Sequence, residues 1–243
     1  RSATETFSLD YFDENGVVQS EIQQPEIEVG LFYTPRRKTS GYGVERTIIN
    51  DGDYPSFYAG YTYGMQNILG GDFEYSKIQG LYTQPWNLGG FGRLLSTVEA
   101  GTILDPVPLG LLSPIPGNQT YFSLYNTFAN LDFYEFVSDT YVSLHLQHNF
   151  GGRIFSRIPG LRDLDLREVV GFRAVWGQIS DENIALNQPN GLLLQSPEDI
   201  YWEWSVGIGN IFRIFRLDFN FRGNYLDNPG AREFGVTGVF GFS

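Results

Sequence analysis

The sequence predicts an all-β fold: an antiparallel transmembrane β-barrel of about ten strands, with eight as the alternative count, built from residues 1–243 as one domain. Three observations carry that expectation. Apolar and polar residues alternate every second position in segments of about ten, repeated to the C-terminus. No stretch approaches the roughly 18 consecutive apolar residues that a spanning helix needs, so any crossing has to be made by a closed barrel. Connection lengths also alternate between short and long, as the turns and loops of outer-membrane barrels do.

The first half alternates less clearly than the second. Candidate strands fall at 5–11, 26–34, 55–64, 72–83 and 91–103; the second sets Ile27, Val29, Leu31 and Tyr33 against Glu26, Glu28 and Gly30. Next comes 141–150, where Val142, Leu144 and Leu146 oppose Ser143, His145 and Gln147. In 166–177, Leu166, Glu168, Val170, Phe172, Ala174 and Trp176 occupy one face, apolar apart from Glu168 near its end, and Arg167, Val169, Gly171, Arg173, Val175 and Gly177 the other. Residues 201–209 place Trp202, Trp204, Val206 and Ile208 opposite Glu203, Ser205 and two glycines. The cleanest segment is 214–224, with Phe215, Leu217, Phe219 and Phe221 against Arg216, Asp218, Asn220 and Arg222. Phe234, Val236, Phe240 and Phe242 finish the chain on one face.

Taken as lipid-facing, the aromatic faces leave the charges inside. Arg167, Arg173, Arg216, Asp218, Arg222 and Glu203, with Glu99 as a further member, then form a lumenal charge network. Such a network fills and rigidifies a narrow barrel, or lines a polar conduit in a wider one. On this assignment Phe219→Arg costs roughly 2–4 kcal/mol, whereas Asn220→Arg costs little. Trp86, Trp176, Tyr201 and Trp202 are the expected aromatic girdle at headgroup level. With the C-terminus in the periplasm, 209–213 is a short periplasmic turn, and 104–120, 178–200 and 225–233 are extracellular. The long connection 151–165 is the exception, a periplasmic segment expected to cap the barrel floor. The opposite packing, aromatics inward, defines the alternative of a soluble β-barrel that binds an apolar ligand.

Composition narrows the function. A net charge of -12 argues against nucleic acid, whose phosphates require clustered Lys and Arg. The absence of cysteine excludes disulfides and Cys-ligated metal. The two histidines, His145 and His148, lie three apart on a strand and point to opposite faces, a poor start for a metal site. Acidic pairs such as Asp163/Asp165 and Glu198/Asp199 read as solvated loop residues, and no nucleophile elbow, P-loop or dinucleotide fingerprint is present. The expectation is a protein without enzymatic activity, cofactor or metal, whose partners are outer-membrane lipid and other outer-membrane or periplasmic proteins.

From Gly117 onward a family resemblance appears. Gly117-Asn118, Glu135-Phe136-Val137-Ser138-Asp139, Ile158-Pro159, Arg167-Glu168, Ser180-Asp181-Glu182-Asn183, Trp204-Ser205-Val206-Gly207 and Asp227-Asn228-Pro229 carry it. Together they resemble the barrel region of a bacterial outer-membrane family of unknown function, in which a carboxypeptidase-regulatory-like domain often precedes the barrel. That family is distantly similar to the BamA/TamA-like surface-antigen superfamily, although the superfamily's Val-Arg-Gly-aromatic loop motif is missing here. The resemblance implies a bacterial outer-membrane location and a role in outer-membrane protein assembly or transport. It also implies that 104–135 is a long loop folding back into the barrel, with Gly117, Asn118, Glu135 and Asp139 as its functional residues. A structural or partner-binding barrel without transport activity is the alternative. Superfamily barrels have more strands than are counted here, so the chain reads as a self-closing reduced barrel or the C-terminal portion of a larger one. It begins at Arg1 without Met or signal peptide, as a mature product or fragment would. Phe240 and Phe242 resemble the aromatic-terminated strand by which barrel-assembly machinery recognises its clients.

Overall fold

A computed structural model describes residues 9–13, 15–42, 45–48, 53–124, 126–190 and 194–240. Nine strands form one antiparallel meander in which every neighbour in sequence is a neighbour in space. They are β1 (Glu26–Tyr33), β2 (Ser56–Gly64), β3 (Tyr75–Asn87), β4 (Arg93–Ile103), β5 (Thr140–Asn149), β6 (Arg167–Gln178), β7 (Tyr201–Ile211), β8 (Phe215–Arg222) and β9 (Phe234–Phe240). Three two-stranded ribbons complete the strand content: Tyr11–Phe12 with Val18–Gln19, Thr39–Tyr42 with Glu45–Ile48, and Ser113–Pro114 with Val137–Ser138. The one α-helix among the described residues, α1 (Asp181–Leu186), starts at the N-cap Ser180, whose hydroxyl accepts from the Asn183 amide.

The expected closure is not what the structure has. Among the described residues no ladder joins β1 to β9, and the sheet is open. The tenth strand is the missing piece. Of the segment 5–11, residues 5–8 lie outside the described residues, and Tyr11 pairs in a small ribbon with Gln19, away from the sheet. Nine antiparallel strands leave β1 and β9 running in the same direction, so the antiparallel ladder that closes a barrel has no way to form between them. All eight residues of β1 are exposed.

The open sheet is nonetheless curved. β4 and β9 are five inter-strand spacings apart, about 24 Å in a flat sheet, yet Leu95 of β4 and Val239 of β9 line one cavity of about 320 Å³. Curvature gives the sheet an inner and an outer face, and residue alternation sorts side chains between them. On β6, Val170 and Phe172 are exposed, while Val169 and Val175 are buried. On β7, Trp204 and Val206 point out, and Glu203 and Ser205 are enclosed. On β8, Asp218, Asn220 and Arg222 are buried between partly exposed Leu217, Phe219 and Phe221. The outer face is apolar and exposed; the inner face is polar and covered. Cross-strand aromatic pairs reinforce the outside, as in Trp204 stacked on Phe221 at 4.3 Å. Tyr201 departs from the expected girdle: it is completely buried on the inner face.

What covers the inner face is the connection between β4 and β5, residues 104–139. Its Val107, Leu109, Leu112, Phe128, Leu131 and Phe136 are at most 3% exposed and pack on Tyr75, Ile103, Val175 and Tyr201 of the sheet. The hydrophobic core is therefore this inserted segment, with its own small ribbon, seated against the nine-stranded sheet. Connections 65–74, 179–200 and 223–233 leave from the same end of the strands as the insertion. The other end carries 34–55, 88–92, 150–166 and 212–214. Of these, 150–166 folds into two 3-10 turns, Phe155–Arg157 and Arg162–Leu164.

Candidate lumenal site and its plug

The inserted segment is held by charged inner-face residues that the alternation places there. Glu203 of β7, with no solvent exposure, accepts the backbone N–H groups of Ala129 and Asn130, each at 2.8 Å, and the Tyr201 hydroxyl at 2.6 Å. Arg173 of β6 stands 3.6 Å from its carboxylate and donates to Asn220 Oδ1 at 3.1 Å. A carboxylate buried among apolar rings is costly unless paired and hydrogen-bonded; here both oxygens are satisfied by the plug.

Arg222 and Glu135 form the second anchor. The guanidinium donates to both carboxylate oxygens, at 2.6 and 3.1 Å, and also to the carbonyls of Tyr225 and Asn224. Asn228 donates to Glu135 at 2.9 Å, and the Asp132 backbone N–H at 3.1 Å. Burial works to raise the Glu135 carboxyl, but the hydrogen bonds from Arg222 and Asn228 outweigh it and hold the group below the usual carboxylate range. Two expectations thus converge: Arg222 of the charge network and Glu135 of the loop are one ion pair.

The other loop residues are structural pins of the same plug. Asp139 accepts from the Ser180 backbone N–H at 2.7 Å and from the Asn183 side chain at 3.0 Å, fixing the start of α1. Asn183 and Asn187 reach on into the insertion, accepting from the backbone N–H groups of Val107 and Leu109. Asn118 Oδ1 accepts from the Thr120 backbone N–H and hydroxyl, an Asx-turn that reverses the chain. A Cβ on Gly117 would lie 2.6 Å from the Leu131 carbonyl, so only glycine fits that approach.

Beneath the plug lies the cavity of about 320 Å³, with Thr97, His145, Arg173, Ser205, Arg216 and Asp218 on its wall. Arg216 pairs with Asp218 at 2.9 Å, while Asp218 Oδ1 is buried without a hydrogen-bond partner. A neighbouring cavity of about 480 Å³ shares Leu95 and Gln147 with it and continues past Thr34 and Tyr54. On the inner face Arg173 thus stands against Glu203, Arg216 against Asp218, and Arg222 against Glu135 of the insertion. Arg167 belongs elsewhere, in a cleft with Arg162 and Arg213 at the opposite end. Glu99 accepts from the Tyr141 hydroxyl at 2.7 Å. Asn220 is fully buried and bound by Arg173, so Asn220→Arg is a costly change, contrary to expectation.

His145 packs inward on the Phe128 ring at 5.0 Å, and His148 bonds the Phe91 carbonyl at 2.9 Å, confirming the split between faces. Among the described residues no group of three or more His, Asp or Glu could hold a metal ion. Phe240 contacts Phe122 of the insertion at 5.3 Å; Phe242 lies outside the described residues. Phe122 also bridges to Gly238, with the Ser123 N–H bonded to the Gly238 carbonyl and the Gly238 N–H to that of Tyr121, so the insertion reaches the free edge of β9.

These features define an all-β protein with a curved antiparallel sheet, an apolar outer face and a polar inner face plugged by its own β4–β5 connection. Residues 12–182 match the C-terminal domain of a family of unknown function, DUF5686, and the chain belongs to that family. No curated protein matches the sequence.

Proposed function

We propose that the protein forms the wall of a β-barrel in the bacterial outer membrane, its seam closed by strands other than the nine described, with its aromatic faces in lipid and its charged faces in a plugged lumen. The observation that carries this reading is the inverted distribution of side chains. Val170, Phe172, Trp204, Val206, Phe234 and Val236 are exposed on β6, β7 and β9, while Glu203, Asp218, Asn220 and Arg222 are enclosed. A contiguous apolar surface of this kind is rare on a monomer in water. Strand length agrees: β3–β7 have 10–13 residues, and 11 residues at a tilt of about 45° span roughly 26 Å, close to the apolar band of such barrels.

The role we propose within that membrane is assembly or transport of outer-membrane proteins, a reading that rests on the sequence resemblance, from Gly117 onward, to a family distantly similar to BamA/TamA-like barrels. The margin of β1 that no strand pairs among the described residues favours it over a purely structural barrel, because a sheet edge offers backbone groups to an incoming strand. The test is detergent dependence. The chain should fold only in detergent or lipid and migrate on gels in a heat-modifiable way. A monodisperse β-protein in plain buffer would refute the membrane reading and favour an apolar ligand as the function.

A further inference from the structure

The two ends of the sheet carry opposite charge. Eleven of the 16 Lys and Arg fall in the connections 34–55, 88–92, 150–166 and 212–214, or in the first two residues of the strands that leave them. The connections at the plug end, with residues 9–25, hold sixteen acidic residues and one basic residue, Arg232. On the basic end the connections 88–92, 150–166 and 212–214 are adjacent, because the strands they join are consecutive in the sheet. Arg153 bonds the Gly90 carbonyl and lies over the Phe91 ring at 4.4 Å, and Asn210 donates to the Asp165 carbonyl at 2.7 Å.

Arginines and large apolar side chains are interleaved there. Phe212 is 90% exposed and Phe91 61%, with Ile154, Ile158 and Leu164 also exposed. Between them is a cleft of about 560 Å³ whose wall includes Arg162, Arg167, Arg213, Asn210 and Asp165. Arg157 and Arg213 are exposed, and Arg162 makes only an open 3.5 Å pair with Asp163. Exposed arginines beside exposed phenylalanine and isoleucine fit an interface that is anionic at the headgroups and apolar just below, where guanidinium bidentately binds phosphate oxygens.

We propose that this face docks anionic glycerophospholipid headgroups of the adjacent leaflet: Arg157, Arg162, Arg167 and Arg213 bind the phosphates, and Phe91, Ile158 and Phe212 enter the acyl boundary. The proposal rests on the membrane-barrel reading and adds to it an orientation and a lipid preference. It places the basic end at the phospholipid leaflet and the acidic plug end on the other side.

Trp86 provides a local reporter, since it is half exposed at the basic end of β3. Trp176→Phe, Trp202→Phe and Trp204→Phe leave it as the sole tryptophan of the full chain. The protein is refolded in vesicles of phosphatidylcholine with brominated phosphatidylglycerol or brominated phosphatidylcholine, and heat-modifiable migration is recorded in parallel. At low salt the brominated phosphatidylglycerol should quench Trp86 several-fold more strongly at equal mole fraction. Each arginine removed should weaken the preference up to about fivefold, so Arg157→Gln, Arg162→Gln and Arg213→Asn together should bring it near unity. Lysine at the three positions should keep it, and millimolar inorganic phosphate should leave it unchanged. Equal quenching by both lipids in a heat-modifiable protein overturns the proposal and spares the barrel. So does a preference that survives in the Gln/Gln/Asn variant, or stronger displacement by lipid A than by unlabelled phosphatidylglycerol. A chain that never becomes heat-modifiable overturns the barrel reading and this proposal with it.

Discussion

Replacing Glu203 by Gln isolates the contribution of the plug's central anchor. Its two carboxylate oxygens each accept one backbone N–H, from Ala129 and Asn130. An amide of the same shape has only one oxygen, so an NH2 group must face one of those N–H donors. One buried donor then loses its acceptor, at about 1–3 kcal/mol. The Arg173 charge, 3.6 Å away, also loses its counter-ion, and breaking a buried pair costs about 3–5 kcal/mol when nothing else compensates. Asn220 still accepts from Arg173, so only a small part of that ion-pair cost is incurred and the total is about 2–4 kcal/mol. Hydrogen exchange of the Ala129 and Asn130 amides in detergent micelles reads this directly. Because 1.4 kcal/mol is tenfold in an equilibrium, their protection should fall by roughly 30-fold or more, with amides of β3 far less affected. Exchange within about threefold of the parent at both amides would refute the idea that Glu203 anchors the plug.

Acidification should loosen the same plug at a second point. The Glu135 carboxyl is held below its ordinary value, so its contribution is present above the unfolded-state pKa of about 4.3 and is lost as pH falls through the lower folded value. Exchange at the Asp132 amide should be flat from pH 7 to 5 after correction for intrinsic rates and rise below about pH 4, and Glu135→Gln should abolish that rise. Phe219→Arg, on the outer face, should cost roughly 2–4 kcal/mol in urea titrations of the vesicle-inserted protein, whereas Gln147→Arg in the cavity wall should cost little. Gly207→Ala places a Cβ about 2.1 Å from Asp218 Oδ1 and should destabilise by roughly 1–3 kcal/mol; a neutral result would show that Asp218 moves freely. Asn183→Ala strips the acceptor from the Val107 N–H and a donor from Asp139, and should lower stability by about 2–4 kcal/mol, with the Val107 amide losing protection first.

Alternation made the strands from 141 onward readable, because each sets bulky apolar residues against charge at a period of two. It placed Arg173, Glu203, Asp218 and Arg222 on the inner face correctly. It misplaced Tyr201, since an aromatic at a strand start suits either face; its inward direction follows from the phase set by Glu203, two residues on. The plug was expected from the family resemblance alone, as a loop at 104–135 folding back; its own residues, Val107, Leu109, Leu112 and Ile115 among prolines, show no period. No local pattern says which strand such a run will cover. The Arg222–Glu135 pair spans 87 residues, and the link from Asn183 to Val107 spans 76; long-range pairings of this kind leave no periodicity to read. The docking roles of Asn183 and Asn187 went unseen, although their spacing of four on a helix puts both side chains on one face.

The odd number of strands in the sheet, nine among the described residues, has a consequence of its own. Walking across the sheet, each strand reverses its predecessor, so the two margins carry arrows of the same sense. Any ribbon that is to seal the seam in antiparallel fashion must oppose both arrows at once. One strand does so, and so do three; a hairpin cannot, because its second strand would lie parallel to the margin it meets. The seam thus selects its own zipper by parity. A complement with an odd number of strands can close it, whereas one with an even number would pair along one margin and leave the other open.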